Sequence, residues 1–161
     1  MRHINPEHIA AILKMINRGP YLELLEIRVC ELGIGYARLE TDLHEIHYNP
    51  FGAVHGGVYS SVIDTATYWA VYCELEEQTG FTTIDLSVNN LSALREGKVF
   101  TEGKSIKIGH SICLAEATVK DSRGKLLAYG TSKLMILNAD QSVENAFKAM
   151  GYDPLPPKFT A

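Results

Sequence analysis

The chain has 161 residues, 46% of them hydrophobic and 21% charged, with a formal net charge of −4. That length makes one domain the simplest reading, and the modest negative charge gives no support for a nucleic-acid partner. No apolar run reaches the ~18 residues that span a bilayer, and the stretch Met1 to Pro6 lacks the apolar core of a secretion signal. Cys30, Cys73 and Cys113 are isolated and unevenly spaced, which argues against a disulfide framework or a zinc knuckle and suits a reducing cytoplasm.

Residues 5–18 predict a short amphipathic helix. Asn5 can cap it, Pro6 suits the first turn and Glu7 suits the positive end. Ile9, Ile12, Leu13 and Ile16 form one apolar stripe, and Gly19-Pro20 ends the helix, which is expected to pack on the outside of something larger. From Leu22 the period changes. Leu22 to Leu32 alternates as a half-buried strand does, Gly33-Ile34-Gly35 turns, and Tyr36 to Thr41 reads as the partner strand. The polar lead-in Asp42 to Tyr48 holds His44 and His47, three apart. It shows no helical start signal and no His-Glu-x-x-His pattern, so ordinary surface histidines are expected and no metal.

Asn49 to Gly57 reads as a glycine-rich turn feeding one long, mostly apolar helix that runs to Gln78. A helix apolar around much of its girth is usually buried. Four strands are expected after it: Phe81 to Leu91, Lys98 to Lys107, Ser111 to Asp121 and Lys125 to Leu137. The turns between them suggest consecutive antiparallel strands. About six strands could then wrap the helix and share its core, an α+β arrangement. From Asn138 a weak helical pattern (Val143, Ala146, Phe147, Met150) gives way to a proline-rich end, expected to be poorly ordered.

Two features of the long helix suggest chemistry. Asp64 sits in the middle of the apolar run, where an ionised carboxylate costs several kcal/mol unless paired. It reads as a general base or nucleophile, or else as one member of a solvent-facing polar seam with Ser60, Ser61, Thr65 and Thr67. Gly56 and Gly57 place side-chain-free amides at a helix N-terminus, which suits an oxyanion hole or a simple tight turn. Eight residues separate Gly56 from Asp64, about 12 Å along the axis. One helix cannot bring both to one carbon, but two antiparallel helices across a two-fold axis can, so an acyl-transfer site here would be shared between subunits.

The pattern Asn-x-x-Gly-x-x-His-Gly-Gly, with an Asp nine residues after the His, resembles the hotdog-fold acyl-CoA thioesterases of the phenylacetic-acid-degradation (PaaI-like) type, within the 4-hydroxybenzoyl-CoA thioesterase superfamily. The resemblance covers roughly residues 22–137. It implies a hotdog fold, a homodimer that assembles into a tetramer of paired dimers, and hydrolysis of an acyl-CoA without metal or organic cofactor. It implies that the Gly56 amide polarises the thioester oxygen. Asn49 and His55 would shape that pocket, Asp64 of the opposing subunit would activate water or attack, and Thr83 would position the water. Gly57 and Tyr68 would line the substrate site. Gly109, His110 and Ser111 match a CoA-phosphate turn in which His110 replaces the family's Arg or Lys, which weakens phosphate clamping there. The expected partition is an N-terminal helical extension over 1–20, a thioesterase domain over 21–137 and a tail over 138–161. Rival readings are an enoyl-thioester hydratase or dehydratase using His55 and Asp64, and a non-catalytic acyl-thioester binding module. Neither nucleic acid nor membrane is expected as a partner.

Overall fold

The computed structural model describes residues 3–160. Met1 and Arg2, at the start of the expected N-terminal extension, and Ala161, at the end of the expected tail, lie outside the described residues. In chain order the elements are β1 (His3–Ile4), α1 (Pro6–Ile16), α2 (Pro20–Leu24), β2 (Ile27–Gly33), β3 (Tyr36–Asp42), α3 (Gly56–Tyr72), β4 (Gly80–Asn90), β5 (Lys98–Lys107), β6 (Ile112–Asp121), β7 (Leu126–Leu137), α4 (Val143–Ala149) and β8 (Phe159–Thr160). Short 3-10 turns lie at Glu45–His47 and Ala139–Gln141.

Strands β2 to β7 alternate buried and exposed side chains and pair antiparallel in the order β2-β3-β5-β6-β7-β4. All six strands contact α3, which makes the α+β hotdog arrangement with one central helix. Val58, Val62, Ala66 and Ala70, with Tyr59, Ile63, Thr67 and Val71, form two adjacent i, i+4 rows, and this face is buried on the sheet. Each large aliphatic side chain buried there contributes about 1.5–3 kcal/mol. Two strand glycines set how close the helix comes. A Cβ on Gly103 would collide with the Ala66 carbonyl, and one on Gly130 would stand 2.6 Å from the Ser87 carbonyl oxygen and 3.0 Å from Ile63 Cγ2.

Several expectations are corrected. Leu22 to Leu32 is not one strand. Pro20 follows Gly19 at a first helical position, which favours a helical turn, and β2 starts only at Ile27. The long helix stops at Tyr72 rather than Gln78. Leu75 turns inward and Gln78 takes a left-handed φ of 59°, so Cys73 to Gln78 form the exit turn. Nor is α3 buried all round: Ser60, Ser61, Asp64, Thr65, Tyr68 and Trp69 lie half-exposed on the face turned from the sheet. His47 is no surface histidine; it is fully buried. Its Nδ1 accepts from the His44 N–H at 2.9 Å, so its Nε2 carries the proton donated to the Leu25 carbonyl. His44 pairs with Glu26 at 3.0 Å.

The described part of the tail is pinned rather than loose. β8 pairs antiparallel with β1, and the Asn5 N–H donates to the Lys158 carbonyl at 2.8 Å. Asn5 also caps α1 as expected, accepting from the Glu7 N–H. Lys158 is 2% exposed. Its Nζ donates to the Tyr72 and Leu75 carbonyls at 3.3 Å each, lies 3.7 Å over the Tyr72 ring centre and 3.7 Å from Glu144. A cation thus sits at the negative end of α3, where helix carbonyls lack partners. No helix among the described residues is long and apolar enough to cross a membrane.

Candidate active site

The loop before α3 is built by its own polar groups. The Asn49 side-chain oxygen accepts from the Phe51 N–H at 2.9 Å and the Ala53 N–H at 3.2 Å. Gly52 takes a left-handed φ of 73°, where a Cβ would strain the turn. Arg95, from the β4–β5 loop, clamps the turn from outside, donating to the Phe51 carbonyl at 2.9 Å and the Gly52 carbonyl at 3.3 Å. The His55 N–H donates to the carbonyl of buried His47 at 2.7 Å. Asn49 therefore has its oxygen committed to the loop.

His55 is the N-cap of α3: its Nδ1 accepts from the Gly57 N–H at 2.8 Å. The Gly57 amide is thereby occupied within the chain. Among the described residues the Gly56 N–H has no hydrogen-bond partner. It points from a half-exposed position at the electropositive helix end. Gly56 lines a cleft of about 250 Å³ with Val54, Tyr59 and Asn90. A Cβ on Gly56 would stand 2.6 Å from Asn90 Nδ2, so the carboxamide of Asn90 sits beside the amide. Neither Asn90 nor Arg95 stood out at this position from the sequence. The only available signal for Asn90 was a polar Asn89-Asn90 pair ending a strand.

Asp64 lies on the half-exposed face of α3. Its hydroxyl neighbours bond back into the helix. Ser60 donates to the Gly56 carbonyl, Ser61 to the Gly57 carbonyl, and Thr65 to the Ser61 carbonyl, at 3.3, 2.8 and 2.7 Å. None of them serves Asp64, whose Oδ1 is buried without a hydrogen-bond partner. A fully solvated polar seam is therefore not what this face provides. Two clefts meet at Asp64 and Thr65. One, of about 350 Å³, is lined by Tyr21, Ser60, Ser61 and Leu86, with Tyr21 Oη 2.6 Å from Ser61 Oγ. The other, of about 320 Å³, is apolar. Tyr68 lines that second cleft and also stacks on Phe81 at 4.3 Å, so it belongs to both pocket and core. Burial pushes its phenol up to about 12.

Within one chain, Gly56 and Asp64 open onto different clefts. Thr83 faces the helix side of edge strand β4, in register with buried Leu134, but the β4 residue that lines a cleft beside Asp64 is Leu86. Gly109, His110 and Ser111 form the β5–β6 turn, away from these clefts. His110 is exposed, and the Ser111 carbonyl accepts from the Ile136 N–H at 2.9 Å.

A family model described as the thioesterase superfamily matches residues 51–128, which include Gly56 and Asp64. A Halobacterium salinarum protein with a provisional esterase name is 30% identical over 115 residues, 68% of this chain and 76% of that one. The 1,4-dihydroxy-2-naphthoyl-CoA hydrolase of Listeria monocytogenes is 26% identical over 105 residues, 65% of this chain and 85% of that one. The crystal structure of thioesterase HI1161 from Haemophilus influenzae has the same fold, with a TM-score of 0.78 at 22% identity, covering 86% of this chain and 96% of that one.

Proposed function

The chain belongs to the thioesterase superfamily, and on that premise we propose that this thioester hydrolase acts on an acyl-CoA, releasing a free carboxylic acid and CoA. The observation that carries the proposal is the pairing on one helix of an unbonded N-terminal amide, Gly56, with a partnerless buried carboxylate oxygen on Asp64. A relative that is a CoA-thioester hydrolase supports the substrate class.

The two groups serve one carbonyl when two copies pair. Strand β4 is an edge strand with one side unpaired, and the Asp64 face of α3 is half-exposed beside it. Pairing two β4 edges antiparallel would set two α3 helices side by side, the start of one near the middle of the other. The Gly56 N–H then polarises the thioester oxygen, with Asn90 beside it. The partner's Asp64 takes a proton from water as the water oxygen bonds to the carbonyl carbon, or attacks that carbon itself to leave a mixed anhydride, which water then hydrolyses to the free acid and the restored carboxylate. Collapse of the tetrahedral intermediate breaks the C–S bond, and the thiolate leaves and is protonated. Ile84, Ile106, Ile112 and Met135, exposed on the outer sheet face, give a second contact for a tetramer of paired dimers. His55, capping its own helix through Nδ1, is a positioning residue in this scheme. The three free cysteines suit a reducing compartment such as the cytoplasm.

The test uses mixed dimers. Asp64→Asn alone should lose most turnover of acyl-CoA, followed by thiol release, and should keep its fold. Gly56→Val, which blocks the amide, should do the same. Mixed after joint refolding, the two should recover about a quarter of wild-type activity, because half the dimers then hold one intact site of two. Wild-type-like hydrolysis by Asp64→Asn defeats the role of Asp64. No recovery in proven heterodimers defeats the shared site.

A further inference from the structure

The loop that leads into α3 closes on itself before the helix begins. Tyr48 and Val54 bridge antiparallel, and the Asn49 N–H donates to the Ala53 carbonyl at 2.7 Å. His47 and His55 form the neck of this lobe, joined by the His55 N–H on the His47 carbonyl at 2.7 Å. Directly past that bond come the helix and the bare amide of Gly56. The place of the His47 peptide therefore fixes where the Gly56 N–H points.

That peptide is held through its own ring. The side chain is fully buried, and each ring nitrogen meets one backbone group. Nδ1 accepts from the His44 N–H at 2.9 Å, and Nε2 donates to the Leu25 carbonyl at 2.5 Å. Leu25 is the C-cap residue of α2, where a carbonyl lacks a helical partner. Glu26, the next residue, takes a left-handed φ of 51°, which a side chain tolerates only where its surroundings hold it. Glu26 also pairs with His44 at 3.0 Å, so one corner of the fold is tied twice to the residues before the loop. Both Leu25 and His47 lie outside residues 51–128, the span the family model matches. A neutral imidazole carries an acceptor and a donor on one rigid ring, and a single Asn or Gln side chain can place only one of the two at these positions.

We infer that His47 is a positioning residue: its imidazole anchors the opening of α3 to the corner between α2 and β2 and so aims the Gly56 amide. The inference rests on the thioester-hydrolase reading for what that amide does, and adds what holds it in place. An amide stabilises a developing oxyanion only at hydrogen-bond distance, and a displacement of about 1 Å can cost about a hundredfold in rate.

The test compares variants on the best substrate of an acyl-CoA panel, followed by thiol release. His47→Asn keeps an acceptor near the Nδ1 position and drops the donor; His47→Gln keeps a donor for Leu25 and drops the acceptor. Well below its thermal midpoint, each should lower kcat about tenfold or more with KM within about twofold. His47→Gly leaves a ring-sized space. Added imidazole should restore its kcat, and 1-methylimidazole, which has no N–H, should not. His8→Gln removes an equally buried histidine at the far end of α3 and should keep the wild-type kcat. Amide exchange followed by NMR gives a second readout. The His55 and Gly57 N–H groups should exchange about tenfold faster in the Asn and Gln variants, while Val62 to Ala66 keep their protection. Wild-type kcat in both variants, an equal loss in His8→Gln, or a loss of kcat with wild-type exchange overturns the inference. The two readings fail separately. No thiol release by the wild type removes the hydrolase assignment, and the exchange of His55 and Gly57 still decides: fast exchange in the variants upholds the anchor, and wild-type exchange overturns it.

Discussion

His55 Nδ1 accepts the Gly57 N–H at 2.8 Å, so the histidine of the motif closes the first turn of the helix whose opening amide it leaves bare. It cannot hold that bond when protonated at Nδ1. His55→Ala should therefore cost about 1 kcal/mol of stability in urea unfolding and lower turnover. His55→Asn, which offers another capping oxygen, should recover most of both. An acid–base histidine would give an inactive Asn variant with normal stability.

Gly103 lets α3 rest on β5 against Ala66. A Cβ there meets backbone, which cannot rotate away. Gly103→Ala should destabilise the fold by about 1–3 kcal/mol. It should also lift the helix that carries Asp64, lowering kcat more than KM. Gly33→Ala, at a half-exposed position where a Cβ would meet nothing within 4 Å, is the control, measured by the same denaturant series.

Lys158 joins α3, α4 and the tail around a buried charge. Lys158→Ala leaves Glu144 and the last carbonyls of α3 without their cation. Loss of such a partner costs about 3–5 kcal/mol. A thermal midpoint within a degree of the wild type would contradict the arrangement.

His8 gives a pH dependence. It is buried, its Nδ1 donates to the Pro156 carbonyl at 2.6 Å, and its Nε2 lies 2.8 Å from the Tyr72 hydroxyl. That hydroxyl also lies 2.9 Å from Glu144 and has one proton for the two of them. Burial, assisted by Lys158 and opposed by the Pro156 bond, Glu144 and Glu77, holds His8 below its ordinary value of 6.5. The unfolded chain then takes up a proton first. The contribution to stability is whole above pH 6.5 and is lost as the pH falls from there toward the folded value. Midpoints measured from pH 7.5 to 5 should fall more steeply in the wild type than in His8→Gln.

Local patterns carried much of this structure. Asn5 caps α1 because an Asn before a proline and a glutamate is a short-range signal. Strands β5 to β7 end within a residue of where alternation and turn residues put them. Asp64 stood out because one acid in an apolar run is a contrast visible in the sequence itself. What escaped was set by distance along the chain. Lys158 meets Tyr72 across 86 positions, and no pattern near the proline-rich end announces a buried cation. The surplus of apolar residues on α3 concealed that one face stays uncovered in a single copy. His47 read as surface because histidine is usually there, and its burial depends on Leu25, 22 positions earlier. Pro20 did carry a helix signal that the alternation from Leu22 outweighed.

His3 stands opposite Thr160 in the β1–β8 ladder, which puts their Cα atoms about 4.5–5.5 Å apart. A bridge of a few residues could therefore join His3 to Thr160, with the backbone opened instead at the exposed turn over residues 122–125. Such a circular permutant would keep every strand neighbour while carrying its fusion partner on the opposite hairpin, clear of the ladder.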